Sequence, residues 1–242
     1  MLTKIICLLL TFAGVSGVFG VGENMPATEQ VWLSFGRNDG VYAEVRTTEK
    51  VIALTFDDGP HPVLTNKILD ILSEYDAKAT FFVIGKNAEL YPDVIKRIAF
   101  EGHEIGNHTY SHLAETDSNS EKLKTEILKT ENIVYSLTGE KTKLFRPPTG
   151  YCSKSAVLMT KALDYKTIVW NIDTRDWAHR NKNDIIREIK SGAGSGSIIL
   201  FHDFISNNSD TPEILETILP CLISKGYRFI TVSEMLGLDE AL

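Results

Sequence analysis

The spacing of hydrophobic and polar positions changes at about residue 51. Between Val31 and Val45, apolar and polar residues alternate around Asn38-Asp39-Gly40, the mark of two strands joined by a tight turn, and a β-hairpin is expected there. From Val51 onward, short runs rich in β-branched and aromatic residues alternate with segments whose apolar residues recur every three or four positions, such as Leu64, Ile68, Ile71, Leu72 and Tyr75, or Ile214, Leu215, Ile218, Leu219 and Leu222. The first spacing suits strands, and the second gathers side chains on one face of a helix. Seven strands are expected: Val51–Phe56, Ala79–Ile84, Glu104–Asn107, Leu144–Arg146, Thr167–Asn171, Ser197–Phe201 and Arg228–Val232. Strands and helices in alternation build a parallel sheet wrapped by helices. Seven βα units fall short of a closed eight-fold barrel, so the expected fold is α/β, a distorted, incomplete (β/α) barrel with a short N-terminal β-hairpin extension; a doubly wound sheet shares the periodicity.

Size and charge narrow the picture. A chain of 242 residues, 43% of them hydrophobic, fills one large domain and leaves little for a second. The expected division is residues 1–22 as a signal peptide or N-terminal anchor, 23–50 as an extension and 51–242 as the main domain. Residues 5–22 carry no charge and follow Lys4, the layout of an export signal, with small residues at Ser16, Gly17 and Gly20 where cleavage is expected. As a membrane span that stretch is marginal. The expected location is extracytoplasmic, either secreted or anchored at the outer face of the membrane. Lys and Arg number 25 against 32 Asp and Glu, a net charge of −7 without a basic block. Nucleic acid is therefore not an expected partner. Of the three cysteines Cys7 lies in the signal, and Cys152 and Cys221 are read as small apolar packing residues that could also pair after export.

Polar residues gather where strands end. Five of the seven expected strands run into Asp57-Asp58, His108, Arg146, Asp173 with Asp176, and His202. In parallel α/β folds that edge is where substrates bind and catalytic groups converge. His108 and His112 stand four apart, which directs both imidazoles to one side if a helical turn begins there. With a carboxylate from a neighbouring strand they make a three-ligand site for a divalent ion such as zinc, with positions left for water and a substrate oxygen. Asp57, Arg146, Asp176 and His202 remain for the proton transfers and the oxyanion stabilisation that amide hydrolysis requires.

These residues stand in motifs that resemble the NodB-homology polysaccharide deacetylases, carbohydrate esterase family four. Thr-Phe-Asp-Asp-Gly-Pro at 55–60, His-Thr-Tyr-Ser-His at 108–112, Arg-Pro-Pro-Thr-Gly at 146–150, Asp-Thr-Arg-Asp-Trp at 173–177 and Leu-Phe-His at 200–202 occur in the family's order. The resemblance implies a metal-dependent hydrolase that removes acetyl groups from an N-acetylated, cell-wall-type glycan, peptidoglycan or chitin-like, and makes residues 51–242 its catalytic domain. It implies Asp57 as general base, His202 as general acid, Arg146 and Asp176 as their respective partners, and Asp58, His108 and His112 as ligands of a divalent metal, zinc before cobalt or another transition metal. Trp177 and Leu200 would wall the acetyl pocket. Thr149 stands where the family commonly has Tyr, and Tyr151 follows two residues later; the oxyanion donor there is a backbone N–H, which Thr supplies equally well, so the change falls on the groove wall. An O-acetyl esterase on acetylated xylan is the rival activity, and a non-catalytic glycan-binding module the rival class. A monomer is expected. Asp203 reads as a solvated neighbour, and His61, His103 and His179 receive no role.

Overall fold

The computed structural model describes residues 36–114, 119–178, 180–204 and 209–239. The export segment and the first arm of the expected hairpin lie outside them. Nine strands form one sheet in the order β1-β6-β5-β4-β3-β2-β8-β7, with β9 also paired to β2. They are β1 (Val41–Tyr42), β2 (Val51–Asp57), β3 (Ala79–Val83), β4 (Glu104–Asn107), β5 (Leu144–Phe145), β6 (Lys166–Ile168), β7 (Ile172–Asp173), β8 (Ser197–His202) and β9 (Arg228–Phe229). Every pairing between them is parallel. The sheet curls into the expected incomplete barrel.

The second arm of the expected hairpin is used differently. Arg37–Asp39 is a single 3₁₀ turn closed by Gly40 at φ 83°, and β1 pairs in parallel with β6 through Val41↔Thr167 and Tyr42↔Ile168. A strand upstream of residue 51 thus belongs to the same sheet. The chain then reaches β8, where Glu44 bridges Ser197 and Val45 N–H donates to the Gly196 carbonyl at 2.9 Å. Gly196 has φ 79°, and a Cβ on it would meet the Val45 carbonyl oxygen at 1.7 Å, so the approach requires glycine. Of the fifth expected strand, Thr167–Asn171, only the start is realised, as β6, and β7 follows just past its expected end; the last expected strand stops at Phe229, with Val232 opening a helix.

Among the described residues eight α-helices surround the sheet: α1 (Leu64–Glu74), α2 (Gly85–Leu90), α3 (Pro92–Phe100), α4 (Ser120–Thr138), α5 (Lys154–Ala162), α6 (Lys182–Gly192), α7 (Thr211–Ser224) and α8 (Val232–Asp239). Side chains of β2 alternate between two cores. Ile52, Leu54 and Phe56 pack with Ile68 and Leu72 of α1 and Ile214 and Ile218 of α7, while Val51 and Ala53 join Phe82, Phe145, Ile198 and Leu200. Thr55 and Asp57 fall in phase with Val51 and Ala53, which carries them to the side where the other strand ends converge. No disulfide joins Cys152, which is buried, and Cys221. Among the described residues no helix is long and apolar enough to cross a membrane.

Candidate active site

Asp57 closes β2 and is only 3% exposed. Its counterion is Arg146, just past β5 and fully buried. The guanidinium donates to Asp57 Oδ1 and to Thr55 Oγ1, each at 2.8 Å, and to the carbonyls of Ile168 at 3.3 Å and Val169 at 3.2 Å. It also lies 4.1 Å from the centroid of the Phe82 ring. A charge this deep is tolerated because it is paired and four of its five N–H groups are hydrogen-bonded.

Asp58 leaves the strand with a left-handed backbone, φ 75°, and its carboxylate meets both histidines. Its Oδ1 lies 3.5 Å from His108 Nε2 and 3.3 Å from His112 Nε2, and the three ligand atoms all fall within 4.8 Å of one another. Two ligands about 2.1 Å from one tetrahedral ion stand ~3.4 Å apart. The histidines do not ride on a helical turn. Residues 108–112 form an irregular loop with left-handed φ at Thr109 (65°) and His112 (59°), because Asn107 Oδ1 accepts the Thr109 N–H at 3.0 Å and competes with helical bonding. His108 Nδ1 sits 2.8 Å from the Arg146 carbonyl, which can only accept, so the proton is on Nδ1 and Nε2 presents its lone pair. Burial lowers the pKa of His108 by more than Asp57 and Asp58 raise it, which keeps the ring neutral. Asp58 Oδ1 is buried and finds no hydrogen-bond donor. An orphaned carboxylate oxygen facing imidazole nitrogens fits a divalent cation.

The other half of the site is built on β8. His202 Nδ1 is 2.8 Å from Asp176 Oδ1. Asp176 also accepts the His202 N–H at 2.9 Å, the Trp177 N–H at 3.0 Å and the Thr211 hydroxyl at 3.0 Å. Burial alone would lower the pKa of His202, but the hydrogen bond and charge of Asp176, with Asp57 and Asp58 behind it, lift it to about 9. His202 therefore holds its proton at neutral pH.

The residues read as substrate-facing are spread along the rim. Trp177 is 54% exposed beside Asp176, whereas Leu200 is buried within the second core. Thr149 is exposed at φ 67°, and Tyr151 follows it, half-buried. His61 and His103 do structural work: His61 Nδ1 accepts the N–H groups of Val63 and Leu64 at the start of α1, and His103 Nδ1 accepts the Ala79 N–H, with burial driving its pKa down to about 4. His179 lies outside the described residues.

The profile of the polysaccharide deacetylase family matches residues 44–168. The chain belongs to that family. A peptidoglycan-N-acetylglucosamine deacetylase of Bacillus cereus is 44% identical over 195 residues, 80% of this chain and 91% of its relative. The solved structure of the Bc1960 peptidoglycan N-acetylglucosamine deacetylase superposes with a TM-score of 0.80 at 35% identity, covering 87% of this chain and 96% of that one. A family 4 acetyl xylan esterase from Clostridium thermocellum, solved with a cobalt ion, gives a TM-score of 0.72 at 34% identity over 78% of this chain and 91% of that one. The chain is thus a metal-dependent polysaccharide deacetylase that acts on an N-acetylated glycan.

Several residues of the deacetylase site escape a reading by motif. Thr211, outside the five motifs, completes the shell of Asp176, and Thr55, which opens the first motif without an assigned role, completes that of Arg146. Asp203 is not solvated: it is fully buried, accepts the Thr65 hydroxyl at 2.6 Å, and burial, with Asp57 and Asp58 nearby, pushes its pKa up to about 7. Its carboxyl presses on Gly59, where a Cβ would lie 2.3 Å from both oxygens.

Proposed function

We propose that the deacetylase removes the N-acetyl group from N-acetylglucosamine residues of peptidoglycan, releasing acetate outside the cytoplasmic membrane. The observation that carries this reading is the rung Asp57↔His202 on neighbouring strands, which sets a carboxylate tied to Arg146 beside a protonated imidazole tied to Asp176. In this reading Asp58, His108 and His112 hold the ion, taken as zinc. The bound cation supplies Lewis acidity, polarising the acetyl carbonyl and lowering the pKa of water. Asp57 takes the proton of the water that attacks the acetyl carbon. Arg146 holds that carboxylate in place through its 2.8 Å hydrogen bond. The backbone N–H of Thr149 faces the developing oxyanion. His202 then gives its Nε2 proton to the sugar nitrogen as the C–N bond breaks, and acetate departs. Trp177 and Leu200 flank the acetyl methyl, and Tyr151 contributes to the groove.

The similarity to an acetyl xylan esterase supports a second reading, ester hydrolysis on an O-acetylated glycan. An alkoxide leaves without full protonation and an amine does not, so the fourfold-bonded Asp176 and the proton it keeps on His202 favour the amide. The chain is taken as a monomer exported by residues 1–22, either released or held at the membrane by that segment. Acetate release from peptidoglycan, chitin oligomers and acetylated xylan, with and without chelator, tests the assignment. Chelator-sensitive release from peptidoglycan is expected, with free amines appearing on glucosamine. Release from xylan alone would overturn it in favour of the esterase.

A further inference from the structure

The two imidazoles beside Asp58 are oriented by different means. His108 is held through Nδ1 by the Arg146 carbonyl at 2.8 Å. The His112 side chain is 40% exposed, and among the described residues nothing is hydrogen-bonded to its Nδ1. A ligand histidine is normally aimed by a partner on its second nitrogen. Lacking one, His112 depends on its backbone, and that backbone is a loop with left-handed φ at Thr109 and again at His112 itself. Conformations of this kind persist only where the surroundings impose them.

Two elements impose it. From α2, the N–H groups of Gly85 and Lys86 donate to the carbonyls of Thr109 and Tyr110, each at 2.9 Å. From the middle of α4, Glu126 Oε2 accepts the Tyr110 N–H at 3.0 Å, the Ser111 N–H at 2.7 Å and the Ser111 hydroxyl at 3.0 Å. Three donors converge on one carboxylate oxygen, and they come from the two residues that precede His112. The helix carrying Glu126 is itself anchored, with Leu123 and Ile127 buried on either side. Tyr110 is further fixed by Glu89, which accepts its hydroxyl at 2.7 Å, and by the Lys129 ammonium, 3.2 Å from its ring centroid.

We propose that Glu126 is a positioning residue of the cation site: by clamping the N–H groups of Tyr110 and Ser111 it aims His112 at Asp58 and so sets the affinity for a divalent ion. The inference rests on the reading of Asp58, His108 and His112 as ligands. It also separates reach from charge. In Glu126→Gln a carbonyl oxygen still reaches all three donors, whereas Glu126→Asp keeps the charge and loses about one methylene of length, and Glu126→Ala loses both.

Calorimetric titration of zinc into chelator-stripped protein, with thermal melts of each variant, provides the test. Affinity about 10–100-fold weaker is expected for Glu126→Ala and Glu126→Asp, with Glu126→Gln within about threefold of wild type, and with kcat restored by excess zinc while KM stays at the wild-type value. In the stripped proteins the His112 ring resonances should broaden in Glu126→Ala while those of His108 stay sharp. Wild-type affinity in a folded Glu126→Ala, or loss in Glu126→Gln with retention in Glu126→Asp, would overturn the clamp, the latter by showing that charge acts instead. Wild-type protein that takes up no zinc would instead bring down the ligand assignment, and this inference with it.

Discussion

His108 and His202 stand at the ends of strands on the same edge of one sheet, both largely buried, and the protein sets them to opposite states. The Nδ1 of His108 meets a backbone carbonyl and that of His202 meets a carboxylate. At His108 burial prevails even over Asp57 and Asp58 and lowers the pKa; at His202 the directly bonded carboxylate of Asp176 overcomes burial and the pKa rises to about 9. One ring is left with a lone pair and the other with a proton, which in the proposed mechanism go to a cation and to the leaving group. The same side chain thus acquires two jobs from the atom behind it, and the contrast extends to the next layer. Asp176 is saturated with four donors, while Asp58 Oδ1 has none.

The sharpest way to break this contrast is to remove each ring. His202→Ala should retain its divalent ion and lose deacetylation by about 10²–10⁴-fold, whereas His108→Ala should lose the ion itself, as elemental analysis beside acetate release would show. Near-normal turnover in His202→Ala would end its role as acid. The adjacent carboxylates carry the same division. Asp57→Asn should bind the ion as wild type does and lose activity by roughly 10²-fold or more whatever the metal concentration, whereas activity lost in Asp58→Asn should return in part with excess metal. Equal loss of ion from both would mean that the pair has been divided wrongly.

Smaller changes probe the environment of His202 alone. An acid works while protonated, so activity governed by His202 should persist below its pKa and fall as pH rises through about 9. Asp176→Asn removes what holds the proton. Burial is then opposed only by the charges of Asp57 and Asp58, and the alkaline limb of kcat/KM should move to lower pH. A limb that stays in place would assign it to another group. Thr211→Val deletes one of the four hydrogen bonds on Asp176 and should cost about 1 kcal/mol, some fivefold in kcat/KM, with a slight shift of the limb.

Much of this arrangement was legible in the chain, and the remainder was hidden for identifiable reasons. Periodicity located the βα units because burial on both faces of a parallel strand leaves a continuous apolar run, as in Val51-Ile52-Ala53-Leu54. It misassigned Val41–Tyr42, since alternation records that a strand exists but not which distant strand it joins. The i, i+4 spacing of His108 and His112 anticipated that the two rings come together but gave the wrong geometry, because left-handed residues such as Thr109 leave no trace in spacing. Asp203 was misjudged because burial of a carboxyl is decided by neighbours remote in sequence, here Thr65 and Gly59.

The rung that joins Asp57 to His202 also bears on how such an enzyme can diverge. β2 is paired with β3, β8 and β9, and slipping any of them by one residue would turn a whole row of side chains to the opposite face. The spacing of the proposed base and acid is therefore locked by backbone pairing and lies beyond the reach of point substitutions. Thr149, Tyr151 and Trp177 sit on turns outside the ladders, free to vary without disturbing it. Descendants of this chain can exchange one sugar for another by rewriting a few rim positions while inheriting the proton relay unaltered.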